Sequence, residues 1–205
     1  MHARRIAVMA TTLAVVAGAT VAMVPQPVSA AVGYRPVPDD SWGTNGTSEE
    51  VLIQGGTVYV GGAFSAAVHG GSSVTRNNMA AFDEASGALV QTFVANTNGT
   101  VETLATFGGA LFLGGTFTTV NGVARKNLAK VDLSTGAVDP AFDPSPNNTV
   151  YDLWVSGTTL YLGGDFTTMA GQSRPRVAAI NLMTTGSLVA GFAPKVDRRV
   201  SAVAT

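Results

Sequence analysis

The chain contains no cysteine, so neither a disulfide framework nor a thiolate metal site is available to it. Charge is sparse, at 12% of 205 residues, and the formal net charge is −1. Histidine is nearly absent: beyond residue 30 only His69 occurs, and no Asp-x-Asp-x-Asp-Gly calcium loop is present. No cofactor or metal site is therefore expected. No stretch of ten or more residues after the N-terminal segment has helical periodicity. No Gly-x-Gly-x-x-Gly or Walker pattern occurs either, which removes the usual nucleotide-binding signatures. Glycine, in contrast, is abundant, with 24 residues spread between short apolar runs, a pattern of turn-rich β structure.

Residues 1–30 read as a secretory signal peptide. Arg4 and Arg5 precede an apolar stretch from Ile6 to Val24 without an acidic residue. Pro25 and Pro27 break the run, and Val28-Ser29-Ala30 supplies small residues for cleavage before Ala31. An uncleaved anchor is the alternative, because the apolar stretch approaches a spanning length. The arginine pair is also compatible with twin-arginine export. After cleavage 10 basic residues face 13 acidic ones, a net charge of −3, which gives no attraction to nucleic acid or anionic membrane. The mature chain carries no membrane span by this reading.

What remains is a repeat. Tyr59-Val60-Gly61-Gly62-Ala63-Phe64 recurs as Phe112-Leu113-Gly114-Gly115-Thr116-Phe117 and as Tyr161-Leu162-Gly163-Gly164-Asp165-Phe166. Arg76, Arg125 and Arg174 follow at a spacing of 49, so the unit is 49 residues long. The first unit carries four more, within Ser65 to Thr75, read as a lengthened loop. Each unit has room for four short strands. In the second these are Val101 to Phe107, Leu111 to Leu113 ending on the double glycine, Leu128 to Asp132, and Ala137 to Asp139 leading to Phe142. Gly108-Gly109, Asn121-Gly122 and Ser134-Thr135-Gly136 supply the turns.

Four short antiparallel strands repeated at constant length describe an all-β fold, a β-propeller of four-stranded blades. The units fall at about residues 48–98, 99–147 and 148–197. Residues 37–47 form a partial strand before them, in which Trp42 takes the place of Phe93, Phe142 and Phe192. Residues 198–205 begin a further unit. That is about three and a half units, whereas propellers have about four to eight blades, so a fragment of a longer protein is expected.

The repeated positions resemble the delta-60 repeat family of bacterial secreted β-propellers. The second unit carries the pattern as Gly114-Gly115-Thr116-Phe117, Asn121-Gly122, Arg125, Val131-Asp132, Thr135-Gly136 and Asp139-Pro140-Ala141-Phe142. The double glycine is also similar to kelch repeats, although the tryptophan late in a kelch unit is missing. The resemblance implies a secreted or surface-associated propeller with no catalytic residues to carry over.

The individual side chains divide between architecture and chemistry. Asp83 and Asp132, with Asn181 third, recur and fit turns, because Asp and Asn bond nearby backbone amides. Asp39, Asp40, Asp139 and Asp143 belong to the same reservoir of carboxylates. Glu102, Asp152 and Asp165 are specific to one unit, and nothing in the sequence brings them together as an acid/base pair. The arginine series would line one face for an acidic polysaccharide, or brace the blades through backbone carbonyls; bracing is the expectation. Asn45, Asn98 and Asn148 are phased with the repeat and read as turn residues, although the sequons at Asn45, Asn98 and Asn147 fit glycosylation. The function expected is a non-enzymatic, secreted or surface module binding a protein or polysaccharide through loops, with Ser65 to Thr75 the first place to look. The alternative is part of a carbohydrate-active enzyme whose catalytic residues lie outside this chain.

Overall fold

Alternation of apolar and polar residues builds three similar sheets. The computed structural model describes residues 41–204, which belong to one compact unit, Val37–Thr205. The expected signal peptide, residues 37–40 and the carboxylates Asp39 and Asp40 lie outside the described residues.

The first sheet pairs β2 (Thr47–Gln54) with β3 (Thr57–Ala63) and β3 with β6 (Met79–Asp83), all antiparallel. A small sheet intervenes, formed by β1 (Gly43–Thr44), β4 (Ala66–His69) and β5 (Ser72–Thr75). The second unit repeats the plan with β7 (Val101–Phe107), β8 (Ala110–Gly115) and β11 (Leu128–Asp132) around the hairpin β9 (Thr119–Val120) and β10 (Val123–Ala124). The third has β12 (Val150–Ser156), β13 (Thr159–Gly164) and β16 (Val177–Asn181) around β14 (Thr168–Met169) and β15 (Gln172–Ser173). The fold is all-β. Within the described residues the sheets form an open series, with β7 lying against both β2 and β12.

Three details differ from the sequence reading. The second strand of each unit does not stop at the double glycine; β8 runs through Gly114 and Gly115, both of which pair with β7. The expected loop from Ser65 to Thr75 is itself a hairpin, because Gly70 and Gly71 both take positive φ and turn the chain sharply. The expected fourth strand shrinks to a single bridge, Val131 to Val138 in the second unit and its equivalents Phe82–Leu89 and Ile180–Leu188. Its shortness follows from what comes next. Phe142 N–H closes a turn onto the Asp139 carbonyl, as Phe93 does onto Val90 and Phe192 onto Val189. That turn drives the ring against the aromatic of the second strand: Tyr59–Phe93, Phe112–Phe142 and Tyr161–Phe192 meet edge-on at 5.3–5.4 Å. Inserting the phenylalanine ends the strand.

The double glycines lock neighbouring units together. A Cβ on Gly61 would stand 2.7 Å from Val101, and one on Gly114 would stand 2.9 Å from Val150. Gly163 meets Val200 in the same way at 2.7 Å. Each first glycine is thus a socket for the valine that opens the next unit, and real side chains do not approach so closely. The second glycine serves its own unit, since a Cβ on Gly115 would fall 2.0 Å from the Thr100 carbonyl oxygen. There the ladder between β7 and β8 bulges at Glu102, as it does at Glu49 and Tyr151 in the other units. The glycines are architecture at both positions.

Candidate functional site

Because consecutive strands run antiparallel, each unit presents two ends. One end, the turn face, carries the tight turns after the first and third strands. The other, the loop face, carries the small hairpins and the connections between units.

On the loop face, Asn98 Oδ1 accepts from the Thr118 and Thr119 amides at 2.8 and 2.9 Å, while its Nδ2 donates to Thr118 Oγ1. Asn45 does the same to Ser65 and Ala66. In the third unit the residue in this role is Asn147, bonded to Thr167 and Thr168, rather than Asn148. Asn148 instead bonds Thr149. These asparagines pin each hairpin to the connection before it.

The arginine series is buried, at 5%, 7% and 8% exposure for Arg76, Arg125 and Arg174. Arg125 donates to the carbonyls of Ala124, Asp139 and Pro140 at 2.6–3.1 Å. Arg76 reaches Thr75 and Gln91 likewise, while Arg174 reaches the Ser173 carbonyl and the Gln172 side chain. Arg76 and Arg125 therefore each tie a hairpin to the rest of their own unit instead of bridging two units, whereas the bonds of Arg174 stay within its hairpin. A guanidinium committed to buried carbonyls is not offered to a polymer.

On the turn face, Asp132 Oδ1 accepts from the amides and hydroxyls of Ser134 and Thr135 at 2.6–3.0 Å. Those bonds pull its pKa down to about 2. Asp83 and Asn181 bond Ser86 and Met183 in the matching turns. Asp139 is held by Lys130 at 2.8 Å.

Of the three carboxylates expected to be unit-specific, Glu102 and Asp152 have counterparts in Glu49 and Glu50 at the same strand positions, and Asp165 alone has none. Asp165 sits where the first two units have Ala63 and Thr116. Arg199 donates to its Oδ2 from Nε and Nη2 at 3.1 and 2.7 Å, and Tyr151 donates at 3.2 Å. Arg176 Nη1 lies 3.3 Å from Oδ1. These cations, Arg199 foremost, hold the Asp165 carboxyl below the usual range. Arg199 also stacks over the Tyr151 ring at 4.5 Å. Arg176 occupies the place of Asn78 and Asn127, all three at positive φ (63°, 58° and 70°). Asparagine accepts that conformation readily and arginine does not, so the third unit carries a strained residue beside its unique aspartate.

Asp152 accepts from the amides of Leu153 and Val203 at 2.9 and 2.6 Å. Glu50, which the sequence did not single out, has its pKa raised by burial and by the charge of Asp152. Glu102 is raised by burial and by Glu49. Among the described residues Glu102, Asp152 and Asp165 share no hydrogen-bond partner. The first unit contributes a second departure. Its longer hairpin brings His69 onto Trp42, rings 5.3 Å apart and 21° from parallel, beside a shallow cleft of about 400 Å³ that includes Ser72 and Ser73. Trp42 thus meets a different ring from the one its counterparts Phe93, Phe142 and Phe192 meet.

These features define an all-β repeat protein whose constant residues are structural and which carries two clusters of exceptions on the loop face. No helix among the described residues is long and apolar enough to cross a membrane. No family model matches the chain, and no curated protein matches it. Among solved structures it is similar to the computationally designed Ika4 protein, at 13% identity and a TM-score of 0.50, over 78% of each chain. The designed Ika8 protein is more distant, at 11% identity and a TM-score of 0.39, over 72% of this chain and 62% of the other. The Ika4 likeness concerns the fold alone.

Proposed function

We propose that the chain is a β-propeller module of the delta-60 repeat type, secreted or held at a cell surface after cleavage near Ala30-Ala31. It acts as a non-enzymatic binding module for an extracellular protein or polysaccharide. The propeller reading is supported by the recurring glycine–valine socket at Gly61–Val101, Gly114–Val150 and Gly163–Val200. A radial series of sheets needs one packing geometry repeated at every seam.

One observation carries the binding reading: two clusters of departures from the repeat lie on the loop face. A residue constant through all three units answers to architecture, whereas an exception answers to something outside the repeat. The hairpin lengthened by four residues, Val68 to Ser73 standing where the second unit has Asn121-Gly122, with Trp42 on His69, is one exception; Asp165, Arg176, Tyr151 and Arg199 form the other. Loops carried on a rigid scaffold are the usual location of such sites.

A glycan array and an affinity capture with extracellular proteins, each using the full chain, test this. The expected result is retention of a partner without cleavage, and loss of retention when residues 68–73 are replaced by the Asn-Gly turn of the second unit. Release of shortened glycans overturns the non-enzymatic reading. Retention unaffected by the shortened hairpin and by Asp165→Ala overturns the loop face.

A further inference from the structure

The two seams between units should be alike, and on the turn face they are not. Between the first and second units lies a cleft of about 510 Å³, within the size range of small-ligand pockets. Its walls come from the first-unit turn (Gln54, Thr57), the second-strand aromatic Tyr59, and the second-unit turn (Asp132, Leu133, Ser134). At the second seam the corresponding positions are Phe107, Ala110, Phe112, Asn181, Leu182 and Met183. Gln54, Thr57 and Tyr59 have thus become Phe107, Ala110 and Phe112, and Ser134 has become Met183. Phe107 is packed against the core shared by the second and third units. One seam is narrowed by Phe107 and Leu182, which pack on that core while Met183 stays exposed; the other is open and lined with hydroxyls, an amide and a carboxylate. The polar set recurs as Ser156, Thr159 and Tyr161, so the narrowed seam is the departure.

The open seam has a defined hydrogen-bonding character. Tyr59 donates its hydroxyl proton to the Leu133 carbonyl at 2.7 Å and is hydrogen-bonded by the Thr57 hydroxyl, which leaves Thr57 lone pairs to accept. Ser134 spends its proton on Asp132 Oδ1 at 2.6 Å and likewise retains lone pairs. Asp132 Oδ1 is saturated by its own turn, while Oδ2 has no hydrogen bond among the described residues. Gln54 can both donate and accept. Val90 and Leu133, each half-buried, place apolar surface beside these groups. Surplus acceptors, an amphoteric amide and an adjoining apolar wall match a ring bearing several hydroxyls on one edge and C–H bonds on its face.

We propose that the cleft between the first and second units binds a neutral sugar residue, its hydroxyls donating to Asp132 Oδ2 and bonding Gln54 and Thr57. This site is on the face opposite the hairpins and stands independently of the loop-face reading.

Neutral oligosaccharides (cellotetraose, maltotetraose and tetra-N-acetylchitotetraose) titrated into the isotope-labelled full chain provide the test, read by amide chemical shifts. At least one should shift the amides of Gln54, Gly55 and Ser134. Gln54→Phe, which copies the narrowed seam at an exposed position, should weaken that binding at least tenfold, and Ser134→Met should act in the same direction. Free lysine should leave these amides unmoved, because a simple cation site would answer to it. The proposal is overturned if no saccharide moves them, if lysine moves them as strongly, or if Gln54→Phe and Ser134→Met both bind unchanged. Shifts confined to Asn45, Ser65 or Asn98 would overturn this site and leave loop-face binding standing.

Discussion

The seam between the first and second units and the seam between the second and third share a backbone and differ in what fills them. Both are closed by a glycine socket and a valine, and both carry an edge-on aromatic pair. The first adds a hydrogen bond from Tyr59 to Leu133 and leaves a polar cleft. The second replaces that tyrosine by Phe112, fully within the core, and packs Phe107 beside it. Geometry is thus set by the residues that cannot vary, and chemistry by those that can. A repeat array can be specialised one seam at a time.

The largest effect is expected where the sockets are tightest. Gly114→Ala brings a Cβ within 2.7 Å of Thr103 and 2.9 Å of Val150, two side chains on different strands. Gly61→Ala meets Val101 alone. Chemical denaturation should show a loss of about 3 kcal/mol for Gly114→Ala and less for Gly61→Ala, since overpacking typically costs about 1–3 kcal/mol. Equal losses would mean that the seams are mechanically the same.

Next comes the arginine brace. Arg125→Gln strands the carbonyls of Asp139 and Pro140, which accept its Nη2 at 3.0 and 3.1 Å, so a loss of about 2 kcal/mol is expected. Arg174→Gln should cost less, because one of its two partners is the Gln172 side chain, which can turn to solvent. Unchanged stability of Arg125→Gln together with lost binding of an acidic polymer would turn the series from brace to site.

Tyr59→Phe converts the first seam towards the second. Losing one donor to the Leu133 carbonyl should reduce stability by about 1 kcal/mol, measured by urea unfolding. No loss would imply that water replaces the hydroxyl in the open cleft.

The smallest effect separates the turns by pH. Asp132 has a folded pKa of about 2 against an ordinary 3.8, so its turn bonds stabilise the fold above about pH 4. That contribution disappears as pH falls from about 4 to about 2. The third unit has Asn181 at this place, which does not titrate. Asp132→Asn should therefore flatten part of the acid dependence of the urea midpoint between pH 4 and pH 2; an unchanged profile would show that the turn is held without the charge.

Much of the fold was legible along the chain because its determinants are local or periodic. The strands Val101–Phe107 and Leu128–Asp132 follow from alternation, and the aspartate turns follow from a side chain bonding amides two and three residues on. The hairpins were less legible. Thr119–Val120 and Val123–Ala124 are two residues each, too short for alternation to register. The third unit illustrates the remaining difficulty. Asp165 stood out as an exception, but its partner Arg199 lies 34 positions away and belongs to the start of a further unit. Arg176 could have been noticed as the odd member of the series with Asn78 and Asn127; its positive φ could not.

By itself the sequence determined the all-β character, the 49-residue unit and its turns, because spacing and turn chemistry are properties of neighbours along the chain. Only the tertiary structure decided where the exceptions meet. It set Asp165 between Arg176 and Arg199, and left one seam open while packing Phe107 into the other. Those outcomes depend on which side chains face one another across units, a relation that sequence distance does not encode.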